Sequence, residues 1–167
     1  MVKTSAVVFL NDDTRIKNAK HVFEKMYKML KTNSIVGCRV EEGLNGFNIV
    51  KKRLVAVYST NEKVQFPAGH CLMMKTSTYK KLKGFDEKFL NGGEDIDLFM
   101  KAKKLKMKIG VSDEIICHLE HQSDGRFDNL SENVTLFNDR WGKTALALDR
   151  PEPKNKVKKI VEKWITL

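Results

Sequence analysis

The stretch GFDEKFLNGGEDIDLFMK, residues 84–101, decides the fold prediction and locates the candidate site. The glycine pair at 92–93 allows positive φ angles and a close approach of backbone to a ligand. Three acids follow at the start of an apolar-periodic segment: Glu94, Asp95 and Asp97. A helix dipole stabilises ionised acids in the first turn. The pattern therefore predicts a loop that delivers carboxylates to the N-terminus of a helix.

Two interpretations of these acids remain open from the residues alone. A carboxylate held in this way can accept a proton from a hydroxyl nucleophile or bind a polar substrate. Alternatively, the three side chains are ordinary first-turn acids that complement the helix dipole, as in many helices.

A second polar cluster follows the apolar run 6–10, which stops abruptly at Asn11, Asp12 and Asp13. Such a run predicts a buried strand, and ligands of open α/β sheets bind beyond the carboxyl ends of strands. These oxygen donors are of the kind that Mg²⁺ or Mn²⁺ prefers. The alternative is an Asx turn that caps the next helix.

His118 ends another strand-like run, 114–119. Neutral imidazole and carboxylate together suit Mn²⁺, so His118 could complete a metal shell with Asp12 and Asp13. The alternative for a single histidine in an apolar strand is a hydrogen-bonded core residue.

Three ordered motifs give the sequence a family resemblance. The GFDEKF and GGEDIDL segments resemble the signature of glycosyltransferase family 2, whose members have the GT-A fold. VVFLNDDT at 7–14 is similar to that family's strand ending in a metal-binding turn, and CHLEHQSDG at 117–125 to its strand-end histidine followed by serine. The resemblance covers about residues 6–142. It implies an α/β fold with a GT-A-like mixed sheet flanked by helices.

The resemblance also implies a metal-dependent, inverting transfer of sugar from a nucleotide-diphosphate donor to an acceptor hydroxyl. Asp95 would be the catalytic base, and Glu94 would orient the acceptor or Asp95. Asp13 and His118 would hold Mn²⁺ or Mg²⁺ on the donor diphosphate. The remaining candidates for donor or acceptor binding are Asn11, Asp12, Gly69, His70, Gly93, Ser123 and Arg126. Arg126 would replace the family's arginine, because this chain has Asp124 at that position.

The sequence opens where the family's nucleotide-binding half, roughly 90 residues, should end. We therefore expect a fold lacking most of that half, and no measurable transfer from nucleotide sugars by the purified chain alone. Strand 6–10 would form an exposed sheet edge, which favours a homodimer or a partner that supplies the missing half. The alternative function is a non-catalytic binding module derived from a truncated glycosyltransferase.

Composition sets further bounds on the 167-residue chain. We expect one domain, 1–150, followed by a basic amphipathic helix within 151–167. A formal net charge of +10 favours anionic partners, such as a nucleotide diphosphate or an anionic membrane surface. Nucleic acid is ranked low because the lysines are scattered. Three separated cysteines indicate buried thiols in a reducing compartment, and a cytoplasmic location is expected.

Local patterns predict the other elements. Residues 16–31 and 76–82 are predicted helices, the second capped by the hydroxyl of Thr76 or Ser77. The family resemblance implies a further helix at 132–141. Residues 41–52 are predicted to form a loop or a weak hairpin. Leu105 is expected on the buried face of the helix that follows Gly93. The carboxyl ends of strands 7–10 and 115–118 are expected on one side of the sheet.

Overall fold

The computed structural model of the chain describes residues 4–44, 48–53, 55–59, 62–67, 69–118, 128–142 and 144–148. Side chains are described for 4–39, 66–67, 69–118 and 128–142. Ser123, Arg126 and the predicted C-terminal helix lie outside these residues. In chain order the elements are β1 (Ala6–Leu10), β2 (Thr14–Arg15), α1 (Ala19–Met29), β3 (Ile35–Leu44), β4 (Asn48–Arg53), β5 (Val55–Ser59), β6 (Glu62–Phe66), β7 (Cys71–Lys75), α2 (Thr76–Lys81), α3 (Glu94–Lys104), β8 (Ile109–His118), α4 (Leu130–Trp141) and β9 (Thr144–Leu148).

The main sheet has the strand order β1-β7-β3-β8-β2, and β4 pairs with the C-terminal half of β3, Val40–Leu44. β7 is antiparallel to both β1 and β3, whereas β3 and β8 are parallel. Strands β1, β3 and β8 therefore run in one direction and end on one side, as expected. The α/β class with a mixed sheet is confirmed, and it is consistent with a partial GT-A-like fold.

The sheet lies between two apolar layers. On one face Val22 and Met26 of α1 and its C-cap residue Leu30 form a cluster with the inward side chains of β3 and β7. On the other face α3 and α4 pack through a second cluster that includes Phe99 and Phe137. Alternate strand residues supply both clusters, because successive side chains of a strand point to opposite faces.

A separate three-stranded antiparallel sheet has the order β6-β5-β9. Phe66, at the end of β6, stacks on Phe99 of α3 with ring centroids 5.0 Å apart. This contact joins the small sheet to the core. The predicted loop or hairpin at 41–52 is a hairpin, formed by the C-terminal half of β3 with β4.

Two local predictions are wrong. Helix α2 starts after Lys75 with no side-chain cap, because the hydroxyl of Thr76 donates instead to the carbonyl of Thr4. Leu105 is 47% exposed, since α3 ends at Lys104 and the chain turns away from the core there. The run predicted at 114–119 belongs, as far as His118, to a longer strand, β8 (Ile109–His118), whose pairing with β3 has a register shift between Cys38 and Arg39.

Within the described residues, β1 is hydrogen-bonded only to β7 and forms an edge of the main sheet. That placement agrees with the expected edge, and self-association through it stays a prediction. In the same part of the chain, no helix has the length and apolar character needed to cross a bilayer.

Candidate active site

A pocket of about 330 Å³ opens at the carboxyl end of β1 and beside the first turn of α3. Its polar lining includes four predicted site residues, Asn11, Gly69, Glu94 and Asp95, together with Asp86 and Glu87. Its apolar wall is formed by Phe9, Leu10, Phe85 and Phe89. Aromatic rings beside carboxylates suit a polar ligand that also has apolar faces. The two sequence stretches that predicted a site, 11–13 and 92–97, therefore meet at one end of the sheet.

The backbone before α3 takes the conformations that the glycine pair allows. Gly92 has φ 150° and Gly93 has φ 93°, and Asn91 also has a positive φ, 57°. Gly93 is the N-cap of α3, and its carbonyl accepts a hydrogen bond from the N–H of Asp97. The turn places Glu94 and Asp95 in the first turn of the helix, at the pocket.

Gly69 lies directly against the carboxylate of Asp95. A Cβ atom at position 69 would lie 2.8 Å from Asp95 Cγ and closer still to Oδ2. The N–H of Gly69 also interacts with the Asp95 carboxylate, as does that of Ile96, which donates to Oδ1 at 2.8 Å. Only a glycine fits here without displacing the acid.

The environment raises the pKa of Asp95 to about 6. The main cause is burial of the carboxylate, and the negative charge of neighbouring Glu94 adds to it. Hydrogen bonds from the backbone N–H groups of Ile96 and Gly69 oppose the shift, because they stabilise the ionised form. Asp95 is therefore mostly ionised at neutral pH and is a stronger base than an ordinary aspartate.

Glu94 lines the pocket beside Asp95. Its Oε2 atom is buried and has no hydrogen-bond partner among the described side chains and backbone. A buried carboxylate oxygen without a partner is costly unless something outside this set binds it. Glu94 is thus placed to accept a hydrogen bond from a ligand in the pocket.

Asp13 and His118 form a second polar pair at the same end of the sheet. Thr14 of β2 lies opposite His118 of β8, and this register brings Asp13 Oδ1 to 3.0 Å from His118 Nε2. The two atoms are in contact without hydrogen-bond alignment, since the buried Oδ1 has no partner of adequate hydrogen-bond geometry among the described residues. The amide of Asn11 lies 3.5 Å from the same histidine nitrogen.

His70 connects this pair to the turn beside Asp95. It is 1% exposed, and its ring stacks on His118 with centroids 5.5 Å apart. Its carbonyl accepts a hydrogen bond from the N–H of Asn11. His70 therefore lies behind the pocket wall and does not line it.

The alternative of an Asx cap at 11–13 is not what forms. Helix α1 is capped by Asn18, whose side chain accepts from the N–H of His21. The carbonyl of Asn11 instead accepts from the N–H and hydroxyl of Thr14, which closes a tight turn around Asp12 and Asp13. Asp12 is exposed at the tip of this turn.

Sequence reasoning missed the role of Asp97, which is 0% exposed. Its Oδ1 accepts hydrogen bonds from Arg140 at 2.8 Å and from the indole of Trp141 at 2.9 Å, while Lys101 Nζ pairs with Oδ2 at 2.8 Å. Asp97 therefore anchors α4 to α3. The spacing of Asp97 and Lys101, four residues apart in a helix, was the only signal of an ion pair.

Helix α4 also fixes the pocket loop, residues 84–93. Arg140 pairs with Asp86 at 2.7 Å, and its guanidinium lies 5.4 Å from the centre of the Phe89 ring. The side-chain amide of Asn133 accepts from the N–H of Leu90 and donates to the carbonyl of the same residue. Two pocket-lining side chains, Asp86 and Phe89, are thus held by one arginine.

Gly69→Ala is expected to displace the Asp95 carboxylate and to destabilise the protein by about 1–3 kcal/mol, the usual cost of overpacking. The melting temperature measures the effect. In an Asp95→Ala background the same substitution should cost less, because the carboxylate that it meets is gone. Equal costs in the two backgrounds would contradict the close packing of Gly69 on the Asp95 carboxylate.

Comparison with known proteins agrees with this geometry in part. A family model described as the N-terminal domain of galactosyltransferase matches residues 55–122. That range, less than half of the chain, contains Gly69, His70, Glu94, Asp95 and His118. No curated protein matches the chain. The chain contains a glycosyltransferase-like domain, and the match does not single out family 2.

Proposed function

We propose that this domain transfers a sugar from an activated donor to an acceptor hydroxyl, with Asp95 as the general base. The observation that carries the proposal is the pocket in which Asp95, with a pKa of about 6, lies between Glu94 and the backbone of Gly69. The matched galactosyltransferase family supports galactose as the first sugar to test.

The chemical step follows from the positions of the two acids. The acceptor hydroxyl donates its proton to the Asp95 carboxylate while its oxygen forms a bond to the anomeric carbon of the donor. The bond from that carbon to the leaving group breaks on the opposite side, so the anomeric configuration is inverted. Glu94 accepts a hydrogen bond from a second hydroxyl and orients the acceptor.

The aromatic wall contributes binding and exclusion of water. Phe85 and Phe89 line the same pocket as the carboxylates, and Phe9 packs edge-on against Phe85 at 4.9 Å between ring centroids. The apolar face of a sugar ring can lie on such a surface while its hydroxyls reach the acids. The rings also lower the local polarity, which strengthens interactions with Asp95.

The donor side of the proposal includes a divalent metal. Two neighbouring ligands of an octahedral ion, each about 2.1 Å from it, are about 3 Å apart. Asp13 Oδ1 and His118 Nε2 have that separation, and Oδ1 has acceptor capacity left, so the pair fits a metal. When bound, the metal would act as a Lewis acid on the leaving diphosphate. Asp13 and His118 would hold it, and Asn11 lies within reach of the same position.

Mn²⁺ is therefore expected to raise the melting temperature of the wild type. Free metal at 100 times its dissociation constant stabilises a protein by about 2.7 kcal/mol. The shift should be much smaller in Asp13→Asn and His118→Ala, while an exposed control, Asp113→Asn, should respond like the wild type. Equal shifts in all four proteins would mean that Asp13 and His118 form a structural contact and do not bind the metal.

A second candidate function is a sugar-binding module without catalysis. One observation favours it: within the described ranges, no group of three or more His, Cys, Asp and Glu side chains is arranged to hold a metal. Such a module would use the same pocket and the same acids for binding. It would bind an oligosaccharide without turning over a donor.

A donor that needs no nucleotide recognition distinguishes the two candidates. With α-galactosyl fluoride and an oligosaccharide acceptor, transfer forms the new C–O bond, passes the hydroxyl proton to Asp95 and releases fluoride. We expect acceptor-dependent fluoride release and a β-linked product. Binding of the acceptor without fluoride release would favour the binding module and contradict the proposed transfer.

A further inference from the structure

The end of the main sheet opposite the pocket is strongly basic. Lys75 ends β7 and pairs with Ala6, the first residue of β1. Lys108 precedes β8, and its carbonyl accepts a hydrogen bond from the N–H of Ser34, which precedes β3. One end of the main sheet is thus formed by the amino ends of β1, β3 and β8 and the carboxyl end of β7. We call it the basic end.

Helices α1 and α3 also finish at the basic end. Helix α1 ends at Met29, five residues before Ser34, and α3 ends at Lys104, four residues before Lys108. The basic end therefore collects six exposed lysines: Lys28, Lys31, Lys75, Lys104, Lys106 and Lys108. Segments 27–35, 75–78 and 103–109, which form it, contain no acidic residue.

Acids are concentrated at the opposite end. Six carboxylates belong to the pocket or to the turn beside it: Asp12, Asp13, Asp86, Glu87, Glu94 and Asp95. The described acids are therefore concentrated at the pocket, whereas the segments that form the basic end carry lysines and no acid. The formal net charge of +10 is a sum over the whole sequence, so it does not show that the lysines of the basic end have no acids among them.

Helix dipoles explain only part of this distribution. Lysines in the last turn of a helix complement the dipole, which accounts for Lys28 and Lys104. Lys75 is the N-cap of α2, where the helix dipole disfavours a cation, and Lys108 lies outside the helices. Lys106 is held in a turn with φ 53° and is exposed. A binding surface accounts for both groups of lysines.

Two large apolar side chains are exposed among these lysines. Leu105 is 47% exposed and lies in sequence between Lys104 and Lys106. Tyr27 is 54% exposed on the last turn of α1, with its hydroxyl 3.4 Å from that of Ser5 at the start of β1. An apolar side chain flanked by lysines can enter the headgroup region of a bilayer while the lysines contact anionic lipid.

We propose that the basic end binds the surface of an anionic lipid membrane. Lysines are compact point charges that suit mobile lipid headgroups, and the basic end has no arginine to grip phosphates in the bidentate geometry common in nucleic-acid recognition. Leu105 contributes to lipid binding by insertion, whereas it contributes nothing to contact with a polyanion. Attachment by this end leaves the pocket facing the aqueous phase. This inference is independent of the proposed transfer reaction.

Sedimentation with phosphatidylcholine vesicles, with and without phosphatidylserine, tests the proposal. The full chain should bind only the vesicles that contain phosphatidylserine, and added salt should release it. Replacing Lys104, Lys106 and Lys108 together by glutamine should lower the partition coefficient by about 100-fold. The matched control replaces three exposed lysines at the pocket end, Lys17, Lys20 and Lys88, by glutamine. It has the same net charge and should change binding only a few fold.

The variant Leu105→Ser distinguishes binding to lipid from binding to nucleic acid. It should weaken binding to anionic vesicles several fold and leave any binding to duplex DNA unchanged. Equal losses in the two triple variants would show that net charge alone drives association and would overturn the proposal. So would duplex DNA binding through the same lysines as tightly as vesicles, with no effect of Leu105→Ser on the vesicles.

Discussion

Asp95→Asn is expected to lower acceptor-dependent fluoride release from α-galactosyl fluoride by about 1000-fold, the middle of the range for loss of a general base. Asparagine keeps an oxygen that can accept from the N–H of Ile96, so the pocket should retain its shape. It cannot take a proton from the acceptor hydroxyl. The rate, measured with a fluoride electrode, checks this expectation.

The stability of the same variant excludes unfolding as the cause. Burial raises the pKa of Asp95 from 3.8 to about 6, so the unfolded chain gives up this proton more readily than the folded protein. Ionisation of Asp95 therefore lowers the free energy of unfolding as pH rises from about 4 to about 6. At pH values above this window, Asp95→Asn should melt no lower than the wild type. A large drop in melting temperature would mean that Asp95 is structural.

Removing the carboxylate of Asp97 is expected to have the largest effect on stability. Asp97→Ala leaves the N–H groups of Arg140 and Trp141 without their buried acceptor and frees the ammonium of Lys101 from its partner. Breaking a buried ion pair in this way typically costs about 3–5 kcal/mol. Urea denaturation should show that loss, with a corresponding decrease in the unfolding midpoint.

Asp139 provides the matched control for Asp97. It lies on α4 next to Arg140 in sequence but is exposed, so Asp139→Ala should change the free energy of unfolding by less than about 0.5 kcal/mol. Asp97→Asn keeps an acceptor for Trp141 and should cost less than Asp97→Ala. If Asp97→Ala and Asp139→Ala destabilise equally, the buried network does not hold α4 to α3.

Much of the fold could be predicted because short-range signals agreed with the tertiary structure. The Gly92–Gly93 pair predicted positive φ angles, and both residues have them. The abrupt end of the apolar run at Asn11 predicted a strand that opens at a ligand-binding edge, and β1 ends there beside the pocket. In each case the local residues determine the backbone conformation without help from distant parts of the chain.

The resemblance to known enzymes supplied what local patterns could not. It paired His118 with Asp13 and made Gly69 a candidate for donor or acceptor binding, although these residues lie far in sequence from Asp13 and from Asp95. The structure brings each pair into contact, His118 with Asp13 and Gly69 with Asp95. Whether these contacts serve metal and sugar stays a proposal.

What the sequence did not predict depends on contacts between distant segments. Asp97 looked like a third first-turn acid, but packing of α4 turns it into the buried partner of Arg140. Phe85 contacts the core and also lines the pocket, which no pattern in the sequence indicated. His70 was a candidate for donor or acceptor binding, yet its ring is stacked on His118 and does not line the pocket. Neither periodicity nor spacing encodes these contacts.

Carboxyl ¹³C NMR of Asp95, titrated with and without an oligosaccharide acceptor, tests the central claim most directly. The account predicts a titration midpoint near pH 6, a lower midpoint in Glu94→Gln because a neighbouring negative charge is removed, and a shifted carboxyl resonance on addition of the acceptor. A midpoint close to the ordinary value of 3.8, unaffected by Glu94→Gln and by the acceptor, would contradict Asp95 as the base of an acceptor-binding pocket.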